Sequence, residues 1–255
     1  MSIKMIVTDL DGTLLREDKT ISKRTIYALK KCCEKGIKIV YATGRGDSSK
    51  VLAPSELFDG FVRMNGATAY IGDSIIYNKL IPIDDVRDLL LAADNAGVQI
   101  AAEFSGIHYA NFNVNEKWPY IKCFNIANFK ELDIEAEKLY AIAETPQVIE
   151  LIKKCLPNGL YLYISRDNLA MIMHQEAMKS KAVAAVAGYW DINPSEIVAF
   201  GDDTNDLDLL QYCGISVAVA NALNEVKAVT NYICDTNDND GVAKWIEENI
   251  LWKTQ

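Results

Sequence analysis

Short apolar strands alternate with amphipathic helices along this chain, and the alternation stops once and then resumes. Near the start, the pattern predicts a buried strand over residues 4–8, a helix over 22–36 and a strand over 37–42. Much later it predicts a helix over 179–189 followed by a strand over 197–200. This rhythm is typical of a mostly parallel sheet with helices on both faces.

The stretch between these two parts has a different pattern. A helix that begins at Asp84 or Asp85 precedes a hairpin that turns at Ser105. A second helix begins at Thr145 and precedes another hairpin over residues 160–174. The order helix, strand, strand thus occurs twice. It predicts an inserted α+β domain built on a mostly antiparallel sheet.

We therefore expect an α/β protein with a discontinuous core. Residues 1–82 and 176–255 are predicted to form a Rossmann-like core with a mostly parallel sheet, and residues 83–175 to form the inserted α+β domain. In open sheets of this kind, ligands bind at the carboxyl ends of the strands. The polar residues that follow the predicted strands are thus the first candidates for a site.

Charge and cysteine content restrict the partners of the 255-residue chain. Its formal net charge of −9 gives no basic field for nucleic acid or for a membrane surface. No apolar run reaches the roughly 18 residues that a membrane span needs. The apolar run near the first residues is also too short for a signal peptide. The six cysteines form no C-x-x-C pair, so we expect reduced thiols in a cytoplasmic protein.

The first polar cluster, D-L-D-G-T over residues 9–13, follows the first predicted strand. Residues two apart in an extended segment share a face, so Asp9 and Asp11 are expected to project together. Two carboxylates that close repel, and either one is protonated or a cation lies between them. Mg²⁺ suits such a place because it binds carboxylate oxygens, water and phosphate together. The alternative is an acidic turn with Gly12 as its hinge.

Two further clusters follow predicted strands. Thr43 offers a hydroxyl, Gly44 a close backbone approach to an anion and Arg45 a positive charge, although taken alone a plain strand-to-helix turn with a hydroxyl cap is the better explanation. The run G-D-D-T-N-D over residues 201–206 has more acid than a helix cap requires, which suggests metal binding. Lys179 and Lys181 precede it, and either could balance the charge of a phosphate.

These clusters, in this order, resemble the signature of the haloacid dehalogenase superfamily. Its D-x-D-G-T, Thr, Lys and G-D-x-x-N-D motifs match residues 9–13, Thr43, Lys179 and 201–206. Within it the chain resembles the Cof-type sugar-phosphate phosphatases, which share T-G-R, N-G-A and D-G-V-A, found here at 43–45, 65–67 and 240–243. The third motif departs from the usual K-G, since Ser180 follows Lys179, so Lys181 stays an alternative.

The resemblance implies a Mg²⁺-dependent phosphatase. Asp9 is expected to be the nucleophile that forms an aspartyl phosphate, and Asp11 the general acid and base, with a raised pKa. Mg²⁺ is expected on the side chains of Asp9 and Asp202 and on the Asp11 backbone carbonyl. Asp206 is expected to orient Lys179 or the metal's waters. The phosphoryl oxygens are expected to be held by the N–H groups of Leu10 and Gly44 and by Thr43, Lys179 and Asn205.

The resemblance also makes the inserted domain a cap that closes over the site and selects the leaving group. Candidate readers of that group are Glu103, His108, Asn111, Asn113, Lys117, Trp118 and Tyr120. The expected partner is a small phosphorylated molecule, with no nucleic acid or membrane, and the protein is expected to be a monomer or a weak homodimer.

Three other functions fit parts of the sequence. A phosphomutase would return the phosphoryl group to its substrate, and a catalytically silent protein would only bind phosphate. A signalling receiver domain also has acids, a Thr and a Lys around an aspartyl phosphate, but the chain is about twice too long for one. Cysteine phosphatases are disfavoured because no Cys precedes an Arg by six positions, and histidine-based sites because there are only two histidines.

Overall fold

The structure, a computed structural model, describes residues 3–119, 121–165 and 167–252. Its strands are β1 (Met5–Thr8), β2 (Lys38–Ala42), β3 (Gly60–Arg63), β4 (Thr68–Ile71), β5 (Ser74–Asn78), β6 (Ile100–Phe104), β7 (Ile107–Ala110), β8 (Phe124–Ile126), β9 (Lys138–Ile142), β10 (Leu160–Ile164), β11 (Leu169–His174), β12 (Ile197–Gly201), β13 (Ile215–Ala218) and β14 (Tyr232–Ile233). Its helices are α1 (Lys23–Glu34), α2 (Ser49–Leu52), α3 (Ile83–Asn95), α4 (Val114–Lys117), α5 (Pro146–Cys155), α6 (Lys179–Tyr189), α7 (Leu207–Tyr212), α8 (Asn224–Val229) and α9 (Gly241–Ile246). A π-helical segment, Glu247–Leu251, continues α9.

The chain divides into two compact units, one up to residue 78 and from 178 onward, the other over 79–177. The first unit, called the core, contains a sheet in the order β14-β13-β12-β1-β2-β3-β4-β5. The strands from β14 to β3 are parallel, and β4 and β5 are antiparallel. All four residues of β1 are buried, as expected for a central parallel strand covered on both faces.

Local signals set the core helices. Ser22 caps α1, its hydroxyl accepting from the Thr25 N–H at 3.0 Å, and Gly36 follows its end with a φ of +78°. Helix α6 spans the predicted bounds, and its buried residues recur at helical spacing. They are Lys179, Ala182, Val183, Val186 and Ala187. The first of these brings a buried charge to the start of the helix.

The second unit, called the insert, has its own sheet and its own hydrophobic core. Its strand order is β10-β11-β9-β6-β7-β8, and all pairs are antiparallel except β7 with β8. Buried residues of α3, α5 and one sheet face form a core cluster. The insert begins before the predicted residue 83, because Ile81 pairs in a β-bridge with Ala136.

The predicted class, an α/β fold with a mostly parallel sheet and an α+β insertion, agrees with these two sheets, but three local predictions are wrong. Helix α3 begins after Pro82 rather than at a capping aspartate. The predicted pattern omitted β8 and, more importantly, β9, a central strand of the insert sheet. Strand β9 starts with Lys138 after Glu137, both buried, and these charges hid its strand character.

Within the described ranges, no helix combines the length and the apolar character that crossing a membrane requires. The six cysteines are unpaired. Two of them, Cys32 and Cys213, are buried, and burial raises the pKa of the Cys32 thiol to about 12.

Gly66 lets the chain after β3 pack against the start of α6. Its φ is +101°, and a Cβ there would lie 2.3 Å from the Met178 backbone carbonyl. We expect Gly66→Ala to lower the free energy of unfolding by about 3 kcal/mol, since backbone strain and overpacking add. Gly72→Ala is the matched control, because Gly72 also has a positive φ but open space around it. Urea unfolding of both variants checks this, and equal losses would contradict it.

Candidate active site

The carboxyl ends of β1, β2 and β12 meet at one edge of the core sheet. Strand β1 lies between the other two, with Thr8 opposite both Tyr41 and Phe200. The next residues of these strands and loops are Asp9, Thr43 and Asp202, and all three are buried. The parallel register thus brings together three polar positions that are far apart in sequence.

A buried lysine joins two carboxylates at this edge. Lys179 is 1% exposed, and its Nζ donates to Asp9 Oδ1 at 2.7 Å and to Asp206 Oδ1 at 2.6 Å. Burial alone would lower the lysine's pKa, but Asp206 and Asp9 raise it above the ordinary value. Lys181, two residues further along α6, is half-buried, and Lys179 is the lysine that reaches the predicted nucleophile.

The buried charges of the cluster do not cancel. Ligand oxygens of Asp9, Asp202 and Asp206 lie within 4.8 Å of one another, and Lys179 supplies one positive charge among them. Burial raises the pKa of Asp9 well above its usual range, and Asp206 and Asp202 add to this against the opposing effect of Lys179. Three carboxylates and one ammonium group carry an excess of negative charge, which a divalent cation would neutralise.

Asp206 has both carboxylate oxygens occupied by the protein. Oδ1 accepts from Lys179, and Oδ2 accepts from the backbone N–H groups of Asp202 at 2.9 Å and Asp203 at 3.2 Å. Gly201 makes this possible, because a Cβ there would lie 2.6 Å from the Asp206 Cβ. Asp206 therefore holds the loop after β12 and the lysine together.

Asp202 approaches the loop that follows β1. Its Oδ1 accepts from the Thr13 hydroxyl at 2.8 Å. Gly12 has a φ of +80°, and a Cβ there would lie 2.6 Å from Asp202 Oδ2. The glycine in D-x-D-G-T is thus required for the close approach of an aspartate 190 positions later, which is a stronger reason than its use as a hinge.

Asp11 pairs with two cationic side chains, Arg45 and Lys19, whereas Asp9 pairs with the buried Lys179. Its Oδ1 accepts from Lys19 Nζ at 2.8 Å and from Arg45 Nη2 at 2.7 Å, and Arg45 Nε donates to Oδ2. Burial would raise the pKa of Asp11, but the bonds to Arg45 and Lys19 outweigh burial and lower it. The raised pKa expected for Asp11 is therefore wrong in this structure.

Three of the predicted phosphate-binding residues lie against a residue that the sequence analysis left without a role. They are Thr43, Gly44 and Asn205. Asn65 is buried at a φ of +53°, and its Oδ1 accepts from Asn205 Nδ2 at 2.9 Å. A Cβ on Gly44 would lie 2.9 Å from that same oxygen. Thr43 Oγ1 accepts from the Arg45 N–H at 3.2 Å. The N-G-A sequence at 65–67 was the available signal for Asn65.

Leu10, the remaining predicted phosphate-binding position, lies in the turn that leaves β1. Its side chain is fully buried, and its carbonyl accepts from the N–H groups of Leu14 and Leu15 at 3.1 and 2.8 Å. The turn thus continues directly from Asp9 and is fixed by the backbone. Any role of Leu10 toward a phosphoryl group rests with its backbone N–H.

Three of the candidate reader residues in the insert lie around Tyr140. Glu103 and His108 are buried beside Tyr140, where His108 Nδ1 lies 2.8 Å from the Tyr140 hydroxyl. Burial lowers the pKa of His108, despite the opposing charge of Glu103. Trp118 packs edge-on against Tyr140.

Three further candidates support the local chain, and one cannot be placed. Asn111 accepts from the Ile100 N–H at 3.0 Å, and Asn113 caps α4 by accepting from the Asn115 N–H at 3.1 Å. Lys117 pairs with the exposed Glu144. Tyr120 lies outside the described residues.

Known proteins share both the sequence and the fold of this chain. The family model for haloacid dehalogenase-like hydrolases matches residues 6–246. Among the relatives is the 5-amino-6-(5-phospho-D-ribitylamino)uracil phosphatase YitU of Bacillus subtilis, 28% identical, with 96% of each chain covered.

Solved structures agree with the sequence comparison. The HAD subclass IIB sugar phosphatase BT4131 superposes with a TM-score of 0.85 at 26% identity, covering 96% of this chain and 98% of that one. The phosphatase BT1666 of Bacteroides thetaiotaomicron superposes with a TM-score of 0.85 at 28% identity, covering 97% and 95%.

Fold, motifs and matches define a class: the chain belongs to the haloacid dehalogenase-like hydrolases. Within that superfamily it is of the Cof type, and its enzyme class is phosphoric monoester hydrolase. The resemblance seen in the motifs and the expected fold class are both confirmed.

Lys179→Met leaves the buried carboxylates without their cation. We expect it to lower the free energy of unfolding by about 3–5 kcal/mol in metal-free buffer at neutral pH. The loss should grow from pH 5 to pH 8. Lys179 opposes the raised pKa of Asp9, so without the lysine this pKa rises further. The native state then keeps a proton that the unfolded chain has already released, and raising the pH favours unfolding.

Lys181→Met, on the same helix but half-buried, is the control and should cost at most about 1 kcal/mol. Denaturant unfolding at several pH values measures both variants. A loss for Lys179→Met that is independent of pH would contradict the electrostatic explanation.

Proposed function

We propose that this protein is a Mg²⁺-dependent phosphatase that hydrolyses small phosphate monoesters, sugar phosphates or similar compounds, through an aspartyl phosphate on Asp9. The observation that carries the proposal is the buried group of Asp9, Asp202 and Asp206 around Lys179. A neutral or purely hydrophobic ligand would not compensate this group, whereas a divalent cation with a phosphate would.

The residues present fit Mg²⁺. The side chains of Asp9 and Asp202 and the backbone carbonyl of Asp11 would hold it, while Asp206 is engaged by Lys179 and two backbone N–H groups. These are oxygen ligands, which Mg²⁺ prefers, and Mg²⁺ usually completes its coordination with water and substrate phosphate oxygens. When bound, the ion offsets the negative charges of nucleophile and phosphate, which otherwise repel each other.

Asp9 would attack phosphorus in line with the leaving oxygen. Lys179, fixed by Asp206, stays charged next to the attacking carboxylate and attracts the phosphoryl group. Thr43, Asn205 and the N–H groups of Leu10 and Gly44 would hold the phosphoryl oxygens as charge spreads over them. Asn65 accepts a hydrogen bond from the Asn205 side chain and would keep the Asn205 amide oriented toward the phosphoryl oxygens.

Asp11 would move the protons. It protonates the leaving alkoxide and then takes a proton from the water that cleaves the aspartyl phosphate. The pairing with Arg45 and Lys19 favours the ionised form, which suits the second of these steps. For the first step Asp11 must carry a proton, and the monoanion of the phosphate ester, which holds one acidic proton, would supply it on binding.

We assign selection of the leaving group to the insert, residues 79–177. YitU is named for a phosphorylated ribitylamino-uracil and BT4131 is a sugar phosphatase, and we take a sugar-like phosphate ester as the substrate class of this chain. A substrate of this kind offers hydroxyl groups, which polar side chains of the insert would bind. The six unpaired cysteines support a location in a reducing compartment, the cytoplasm.

A phosphomutase of the same fold is the second candidate function, because the same acids and lysine would serve it. It differs in the fate of the phosphoryl group. Stoichiometric release of inorganic phosphate supports the phosphatase, and isomerised ester without free phosphate supports the mutase. A catalytically silent protein would give neither product.

Asp9→Asn tests the nucleophile. With Mg²⁺ and a panel of sugar phosphates and nucleotides, we expect the unmodified protein to release inorganic phosphate and Asp9→Asn to lose at least ~10³-fold in kcat. Asp203→Asn removes a neighbouring acid that has no assigned role and should keep most of the activity. If no member of the panel is turned over by the unmodified protein with Mg²⁺, the proposed function is wrong.

Chelation tests the metal. EDTA should abolish phosphate release, and excess Mg²⁺ should restore it. Asp202→Asn should raise the Mg²⁺ concentration for half-maximal activity at least ~10-fold, since it removes a charged ligand. The same titration on Asp203→Asn should match the unmodified protein. Full activity in EDTA would refute the metal requirement.

A further inference from the structure

A lysine in the turn over residues 16–20 has a backbone conformation that lysine rarely adopts. Lys19 has a φ of +64°, in the left-handed region where a Cβ is strained and where glycine or asparagine is more at ease. Strain of this kind persists where the surrounding structure holds it, and it often marks a side chain with a task. Sequence analysis gave Lys19 no role.

The turn is held by several bonds, so the strain is not the result of a loose loop. Lys19 N–H donates to the Arg16 carbonyl at 2.9 Å, and Arg16 N–H to the Thr20 carbonyl at 3.0 Å. The loop that precedes α9 fixes the same turn from the other side. There Asp238 Oδ1 accepts from the Glu17 N–H at 2.9 Å, and Asp240 accepts from the Arg16 guanidinium.

The turn over residues 16–20 places the Lys19 side chain against Asp11. Lys19 Nζ and Arg45 Nη2 donate to the same oxygen, Asp11 Oδ1, while Arg45 Nε donates to the other. Arg45 fixes the plane of the carboxyl group, and Lys19 adds a donor from a second direction. Donors from two sides oppose rotation of the Asp11 carboxyl group about its bond to Cβ.

We propose that Lys19 is a positioning residue that fixes the Asp11 carboxyl group for proton transfer to the leaving oxygen. The inference rests on the phosphatase function proposed above, in which Asp11 is the general acid. Proton transfer needs the donor within hydrogen-bond reach of the leaving oxygen, and a small misorientation is costly. The strained turn is retained because it supplies that orientation.

The test compares two leaving groups in the unmodified protein and in Lys19→Asn. Asparagine suits the left-handed backbone, so the thermal midpoint of this variant should equal or exceed that of the unmodified protein. We expect its kcat/KM for a hexose 6-phosphate to fall about tenfold, a part of the ~10²–10⁴ that general acid catalysis provides. For p-nitrophenyl phosphate, whose phenolate leaves without a proton, the change should stay below about twofold.

Lys35→Asn is the charge-matched control. Lys35 is exposed at the end of α1, and its loss should leave kcat/KM for both substrates unchanged. Lys19→Arg, which keeps a cationic donor, should restore part of the activity on the hexose phosphate. Equal losses on both substrates, or no loss on either, would overturn the positioning role. If the unmodified protein turned over neither substrate with Mg²⁺, the proposed phosphatase function itself would fail.

Discussion

The ammonium group of Lys179 holds together two parts of the chain that nothing in the local sequence connects. It bonds Asp9 at the end of β1 and Asp206 at the start of α7, and it is buried while doing so. A buried charge is costly unless it is paired and hydrogen-bonded. The cost is met here because Asp206 also accepts from two backbone N–H groups, so the loop, the lysine and the nucleophile are fixed as one unit.

Close approach between these loops depends on missing side chains. A Cβ would clash at each of three glycines. At Gly12 it would meet Asp202, at Gly66 the residue before α6, and at Gly201 the side chain of Asp206. The site is therefore assembled by glycines as much as by acids, and this explains why the acidic motifs of the sequence contain or adjoin a glycine.

Much of this was predictable from the sequence, and the limits have physical causes. Strands β1, β2 and β12 are apolar runs, and the acids after them mark the sheet edge, so pattern alone could bring Asp9 and Asp202 together. The choice of Lys179 over Lys181 came from the family resemblance. The N-G-A and T-G-R motifs marked Asn65 and Arg45 but not their contacts, and Lys19 escaped because a surface-type cation carries no periodic signal. Strand β9 was missed since buried charges begin it, and the ionised state of Asp11 depends on side chains that only the fold brings near.

The order of the sheet has a consequence for synthesis on the ribosome. Strand β1 pairs with β2, made soon after it, and with β12, made only after the insert over residues 79–177 has been added. At about 5–20 residues per second, that segment takes roughly 5–20 s. During this time one edge of β1 and the carboxylate of Asp9 wait without their partners. The insert has its own hydrophobic core and can condense first, so the nascent chain would carry a folded domain beside an exposed apolar edge that invites chaperone binding.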